Sequence, residues 1–262
     1  MQNYNKSMYK IPANPFFPLR KLIYMPECHS TNVIAEQMVK QNSLPEGSVV
    51  LAGYQSAGKG QRGNVWLAGA GLNLTFSLFV KPVWLKASEQ MYLTKAFSLG
   101  VTDWLQRLTG MSVLIKWPND ILVNNKKICG MLIENQLKNN YIAATIAGIG
   151  VNINQREFPF VQATSLAAET DTVYDLAECF FNLMLHIDAR YTLLQNKQFS
   201  KLQDDYLNNL LGLGDELIFG EGEQQFPGTV LGVDDLGRLE VRTPWGIRFY
   251  ETKEIPIQWP LK

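Results

Sequence analysis

The sequence predicts an α+β fold: a mixed, mainly antiparallel sheet with helices, followed by a small all-β barrel at the C-terminus. Three observations carry that expectation. Strand-sized apolar runs recur between Gly, Pro and Asn turn signals over residues 48–155. Three longer segments repeat apolar residues near the 3.6-residue period of a helix. From Gly212 onward, short runs and tight turns alternate without any helical pattern. The expected organisation is an N-terminal arm over 1–20, a main domain over 21–210 and the barrel over 211–262.

The first twenty residues are polar and dotted with proline, which predicts a poorly packed arm. RKLIYM (20–25) reads as the first strand. Ser30 and Thr31 suit the N-cap of a helix through VIAEQMVKQ, and Pro45-Glu46-Gly47 reads as a turn. SVVLAGYQ (48–55) is a strand, and SAGKGQRGN (56–64) is a glycine-rich loop. LNLTFSLFV (72–80) sets Asn73, Thr75 and Ser77 between apolar residues, the pattern of a strand with one polar face. Ser88 suits the cap of a helix reaching about Leu108, whose Met91, Ala96, Phe97, Val101, Trp104, Leu105 and Leu108 follow the helical period.

VLIKW, ILV and KICGMLIEN then read as strands, the last two joined by an Asn124-Asn125 hairpin. Lys138-Asn139-Asn140 turns the chain into YIAATIAGIGVNI. Thr172-x-x-Asp175 has the form of a capping box for a helix over 173–195, with Val173, Leu176, Ala177, Phe180, Phe181 and Met184 on its buried stripe. DELIF, FPGTVLGV, RLEVRT and IRFYE are the strands of the terminal barrel.

Composition narrows the function. The 262 residues are 46% hydrophobic, enough for one large core. Lys+Arg and Asp+Glu are each 24, so the formal net charge is zero and a polybasic nucleic-acid or membrane binder is excluded. Cys28, Cys129 and Cys179 are far apart, and only His29 and His186 accompany them. That spacing argues against a disulfide framework or a structural zinc site. The adjacent Cys28-His29 reads as ordinary loop or core, because neighbouring side chains point apart. The N-terminus lacks the apolar core of a signal peptide, and no run approaches the ~18 apolar residues of a membrane span. A cytoplasmic protein is the expectation.

Five stretches carry candidate chemistry. In the loop 55–63, Gly58, Gly60 and Gly63 free backbone N–H groups, and Lys59 and Arg62 add positive charge, which together suit a phosphate or carboxylate. A flexible hairpin with solvated charges has the same composition. The loop is neither a Walker A motif nor a dinucleotide fingerprint. In KWPND (116–120), Pro118 biases Trp117 towards an extended backbone, leaving Asn119 and Asp120 at a strand end with their side chains exposed. Asp120 there suits Mg²⁺ or an attacking amine, or simply a pair with Lys116. Lys126 and Lys127 begin the next strand, and one lysine beside a reacting carboxylate would stabilise developing negative charge. Gly148 and Gly150 permit close approach of a planar ligand, and Asn152 offers a donor and an acceptor to a base edge. Ser30, Thr31 and Asn32 either cap a helix or bond a neutral polar ring.

In order, STN (30–32), QSAGKGQRGNVW (55–66), KWPND (116–120), KICGMLIE (127–134) and GIGVN (148–152) resemble the signature of the biotin–protein ligases over residues 22–155. The resemblance implies a class II synthetase-like ligase fold with an SH3-like C-terminal barrel. It implies an enzyme that joins biotin to AMP from ATP and Mg²⁺, then transfers biotin to a lysine of a biotin carboxyl carrier protein. By matching position, Ser30, Thr31, Asn32, Gln55, Gly58, Lys59, Gly60, Lys127, Gly130 and Gly150 would hold biotin. Lys59, Gln61, Arg62, Gly63, Trp66, Asn119, Lys127 and Asn152 would hold the nucleotide. Lys127, Asp120 and Arg62 would be catalytic, with magnesium held by the phosphates and Asp120 a candidate ligand for it.

Two positions depart from the pattern. Members commonly carry Arg where Lys59 stands and often Arg where Gln61 stands, so the charge is kept at one position and the bidentate fork is lost at both. The bifunctional members have a winged-helix domain before the catalytic one. No such pattern precedes residue 21 here, so no operator DNA binding is expected. Members pair through sheet edges, which makes a homodimer one assembly the resemblance allows. Lipoate ligases share the chemistry but lack KWPND, and a non-catalytic biotin sensor would not need Lys127 or the basic loop. Lys116 and Lys126 are expected to be surface charge only.

Overall fold

A seven-stranded sheet, in the order β1-β2-β3-β7-β6-β5-β4, organises the chain. The structure, a computed structural model, describes residues 19–220, 224–252 and 254–258. The strands are β1 (Lys21–Met25), β2 (Ser48–Ala52), β3 (Leu74–Val80), β4 (Val113–Lys116), β5 (Asp120–Val123), β6 (Lys126–Lys138) and β7 (Tyr141–Val151). Only β1 and β2 pair in parallel, joined through α1 (Thr31–Lys40); the other neighbours are antiparallel. Asn124 and Asn125 turn at φ 48° and 59°, and Asn139 and Asn140 at 50° and 63°. Asparagine tolerates that left-handed region, which is why these pairs make the two tight hairpins.

Side-chain alternation gives the sheet two covered faces. Phe76, Leu78 and Val80 of β3 join the main core under α2 (Met91–Thr109) and α4 (Leu176–Gln195). Phe79 packs with Ala35 of α1 on the opposite face. The polar residues of β3 therefore do not face water: Thr75 and Ser77 are both buried. α2 and α4 approach closely at Gly100, where a β-carbon would lie 2.8 Å from the Ile187 Cα. Each fully buried Leu or Phe in such a core contributes roughly 1.5–3 kcal/mol.

Several boundaries differ from expectation. Of the predicted arm, residues 1–18 lie outside the described residues, whereas Leu19 is buried in the core. The strand expected over 48–55 ends at Ala52. Ser88 does not cap α2; it lies in a 3-10 turn, Ala87–Glu89, and Gln90 precedes the helix. Ser30 occupies the N-cap of α1, but its side chain makes no capping bond. Asp175 caps α4 by accepting from the Glu178 N–H, so Val173 lies before the helix and is exposed rather than on its stripe. A short helix α3 (Leu166–Thr170) precedes it, capped by Ser165.

After α5 (Phe199–Asn208), strands β8 (Glu216–Phe219), β9 (Phe226–Val233), β10 (Leu239–Thr243) and β11 (Gly246–Tyr250) form a second antiparallel sheet, ordered β11-β10-β9-β8. The outer edge of β8 is extended by a bridge from Phe219 to Ile257. Leu217, Phe219, Val230 and Val241 join the same core as the large sheet.

Candidate active site

A cavity of about 330 Å³ opens where β5, β6 and β7 meet the N-terminus of α1 and the loop after β2. One wall is the α1 terminus. The Thr31 backbone N–H donates to Gln55 Oε1 at 2.6 Å, tying helix to loop. Asn32 is buried, and its Nδ2 donates to Glu134 Oε2 at 2.8 Å and to the Leu132 carbonyl at 3.2 Å. Asn32 thus reaches the cavity wall with both amide protons committed inside the protein. The register Ser77↔Gly148 brings Ser77 beneath it. Gly148 leaves the space Asn32 needs, since a β-carbon there would lie 2.3 Å from Asn32 Oδ1.

The charged wall is the β4–β5–β6 sheet edge. Lys127 Nζ and Asp120 Oδ1 form an ion pair at 2.7 Å, both partly exposed. Asp120 is also the cross-strand partner of Lys116. Lys116 lines the cavity, contrary to the expectation of mere surface charge. Burial pushes its ammonium below the usual lysine range, the neighbouring Lys127 adds to that, and Asp120 works against it. Lys126 does behave as surface charge, half-exposed and 3.8 Å from Glu169. Asn119 is buried rather than exposed, with its Nδ2 donating to the Met131 carbonyl. The Trp117–Pro118 peptide is cis.

The loop between β2 and β3 folds into a hairpin over the cavity. Trp66 N donates to the Gly58 carbonyl at 2.9 Å, Gly60 N to the Asn64 carbonyl at 2.7 Å, and Lys59 bridges Val65. Gly58 sits behind the hairpin, where a β-carbon would lie 2.5 Å from the Trp66 carbonyl oxygen. Gly63 takes φ +80° in an exposed turn. Lys59, Gly60 and Gln61 line the cavity. Arg62 lies in the 3-10 turn Gln61–Gly63, and its side chain is outside the described residues.

Gly130 and Gly150, paired across β6 and β7, form a flat floor. The Trp66 indole lies on it: a β-carbon on Gly150 would sit 2.3 Å from Trp66 Cε2, and one on Gly130 would sit 3.2 Å from Cζ3. The indole Nε1 is buried without a hydrogen-bond partner. Asn152, the residue after β7, is buried and does not line the cavity. Its Nδ2 donates to the Thr164 carbonyl at 2.9 Å, while its Oδ1 is buried without a partner.

Three contributors escaped the sequence reading. Lys116 is one. The segment 162–164 is another: the Gln162 carbonyl accepts the Lys127 N–H at 2.7 Å, and Thr164 N donates back to the Lys127 carbonyl at 2.9 Å. The third is Ile255–Ile257, which line the cavity from the C-terminal region. Neither backbone pairing nor apolar packing leaves a motif. Burial, with nearby Glu27, holds the Cys28 thiol above the usual range, which disfavours the thiolate a nucleophile would need. Among the described residues no three His, Cys, Asp or Glu gather as a metal cage. Any divalent cation here would need ligand oxygens besides those of the protein.

Asn32 lies beside Gly148 and Lys127 beside Gly130, whose cross-strand partner Gly150 is two strand residues, ~7 Å, from Gly148. Such a cavity suits a ligand with a neutral polar head and an anionic reacting end, the class of site that an acyl-activating ligase needs. A family model, the biotin/lipoate A/B protein ligase family, matches residues 24–152. The bifunctional ligase/repressor BirA of Bacillus spizizenii is 31% identical over 242 residues, covering 90% of this chain and 74% of that protein. The biotin–[acetyl-CoA-carboxylase] ligase of Paracoccus denitrificans is 30% identical over 234 residues, 86% of this chain and 96% of its own. The biotin protein ligase of Aquifex aeolicus, solved in complex with biotin and ATP, superposes with a TM-score of 0.76 at 28% identity, covering 92% of this chain and 99% of that one. The chain belongs to this ligase family, among the ATP-dependent biotin protein ligases.

Proposed function

We propose that this enzyme makes biotinyl-5′-AMP from biotin and ATP and transfers the biotinyl group to a lysine of a biotin carboxyl carrier protein. The observation that carries the proposal is the Lys127–Asp120 pair at 2.7 Å beside the neutral wall of Thr31 and Gln55. With the biotin ring against that wall, its carboxylate reaches Lys127. A carboxylate oxygen attacks the α-phosphorus of ATP and pyrophosphate leaves. Lys127 and Lys116 stabilise the negative charge that gathers on the phosphoryl oxygens. Lys59, Gln61 and the backbone of the 58–63 hairpin hold the phosphates, with Arg62 as a further cation. The phosphates, with Asp120 as a candidate ligand, would hold magnesium, which would neutralise charge on the phosphoryl oxygens.

In the second step the acceptor lysine, as a free amine, attacks the acyl carbon and AMP leaves. Asp120 positions that amine. Trp66 and the Gly130–Gly150 floor take the adenosine, with Asn152 Oδ1, unpaired among the described residues, as an acceptor for the base.

The test mixes the protein with ATP, Mg²⁺ and either biotin or lipoate, then adds a carrier domain. Pyrophosphate release and acyl-AMP with biotin alone, followed by labelling of one carrier lysine, is the expected result. Equal or better use of lipoate would overturn the substrate assignment.

A further inference from the structure

Ser77 and Glu134 lie outside the reaction just described, yet they bracket the neutral wall. Ser77 is fully buried on β3, with its hydroxyl oxygen 2.7 Å from Thr31 Oγ1 and 2.5 Å from Asn32 Oδ1. A serine hydroxyl has one proton, so it can donate to only one of them. The orientation of Asn32 decides which. Its Nδ2 faces two groups that only accept, Glu134 Oε2 and the Leu132 carbonyl, so its Oδ1 must face Ser77. Oδ1 cannot donate, and the Ser77 proton therefore goes to Asn32. The contact between Ser77 and Thr31 then requires Thr31 to donate to Ser77 Oγ. The Thr31 proton is used inside the wall, and only lone pairs remain for the cavity that Thr31 lines.

We propose that Ser77 and Glu134 are positioning residues that set the polarity of the Thr31 hydroxyl, making it an obligate acceptor for a ring N–H of the ligand. The inference rests on the biotin reading, whose ureido ring carries two such N–H groups. It assigns a role to the last residue of KICGMLIE, which no direct contact with the ligand explains. Donors run in one direction, Thr31 to Ser77 to Asn32 to Glu134, and the exposed carboxylate terminates the chain. A group at 134 that can only donate leaves the Leu132 carbonyl, at 3.2 Å, as the remaining acceptor for the Asn32 amide, so the amide is no longer held firmly in one orientation and the Ser77 and Thr31 protons lose their fixed direction.

The experiment measures steady-state pyrophosphate release with biotin and with each of the two mono-N-methylated ureido analogues. The enzymes are wild type, Glu134→Gln, Glu134→Lys and Ser77→Ala. Glu134 is exposed and outside the cavity, so its variants report without disturbing the core. Wild type should reject one N-methyl analogue more strongly than the other. Glu134→Gln keeps an accepting oxygen and should retain that preference. Glu134→Lys should raise the KM for biotin by about tenfold and erase the preference, with the KM for ATP unchanged. Ser77→Ala should erase it too. A wild-type preference in Glu134→Lys, or in a folded Ser77→Ala, overturns the inference. Failure of the wild-type enzyme to use biotin at all is a separate outcome that overturns the substrate reading and this inference with it.

Discussion

Lys127 Nζ lies 2.7 Å from Asp120 Oδ1, so the cation assigned to the first half-reaction is paired with the carboxylate assigned to the second. A partly exposed pair of this kind contributes little to stability. Its proposed value is in catalysis: when the substrate carboxylate and α-phosphate arrive, Lys127 would turn to them and Asp120 would become available for an incoming amine. Lys127→Ala should lower the rate of biotin-dependent pyrophosphate release by about 10²–10³-fold. Asp120→Asn should leave that burst largely intact and slow carrier labelling from preformed biotinyl-AMP. Single-turnover assays of each half-reaction check this; equal losses in both steps for both variants would remove the division of labour.

The glycine floor makes a second prediction. A β-carbon on Gly150 would meet the Trp66 ring at 2.3 Å, too close for any relaxed side chain. Gly150→Ala must therefore displace the indole, lowering stability by about 1–3 kcal/mol and weakening nucleotide binding. Most of the stability loss should vanish in a Trp66→Ala background, because the clash is gone. Denaturant melts of the four members of that cycle measure the coupling. Strict additivity would mean the indole does not rest on the floor.

How much was legible follows from what each feature leaves in the chain. Gly58, Gly148 and Gly150 are legible because a tight turn or a close approach permits few residue types, whereas Gly130 and the choice of Lys127 over Lys126 come from the family resemblance. The strands and the Asn-Asn hairpins follow from apolar runs and turn signals, whereas the strand order depends on contacts far apart in the chain and leaves no local mark. The Lys116–Asp120 pairing is one reading of KWPND, but that Lys116 lines the cavity depends on tertiary packing, and any lysine on a strand looks the same. Likewise Ser77 reads as a generic polar strand residue until α1 is laid over it. Val173 was misplaced because Thr172 and Asp175 both suit a cap, and only the Asp175 bond to Glu178 decides between them.

The KWPND turn is held by elements far away in sequence, which yields a third prediction. Trp117 Nε1 donates to the Gly237 carbonyl at 2.9 Å, and Tyr206 OH donates to the Pro118 carbonyl at 2.9 Å. The β9–β10 hairpin and α5 thus pin the peptide just before Asp120. Tyr206→Phe deletes one donor from a buried site and should cost about 1–2 kcal/mol. Carrier labelling should slow more than pyrophosphate release, because Asp120 loses part of its support. The ratio of the two rates is the readout. A fall in both by one factor would assign the bond to stability alone.

Lys95 supplies the last prediction, and its sign must be worked through. It is fully buried on α2, donates to Gln203 Oε1 and lies 4.4 Å from the Tyr92 ring. Burial pushes its ammonium down to about 8 from 10.5, against the pull of Asp235 and Asp234. Below pH 8 both the folded and the unfolded chain hold the proton, and the fold bears the full cost of a buried charge, ~3 kcal/mol at 1.36 kcal/mol per unit. Between about 8 and 10.5 the unfolded chain binds more protons, so this contribution makes stability rise with pH. The thiols of Cys28, Cys129 and Cys179, all raised mainly by burial, act in the opposite direction as the pH passes the normal thiol value. They are common to wild type and Lys95→Met, so the difference between the two proteins isolates the lysine. Urea melts at pH values from ~7 to ~9.5 should show wild type gaining steadily on Lys95→Met, with the difference levelling below about pH 7.5. A difference that stays flat across that range would mean that Lys95 keeps its charge in the fold, stabilised by Tyr92 and the two aspartates of the β9–β10 turn.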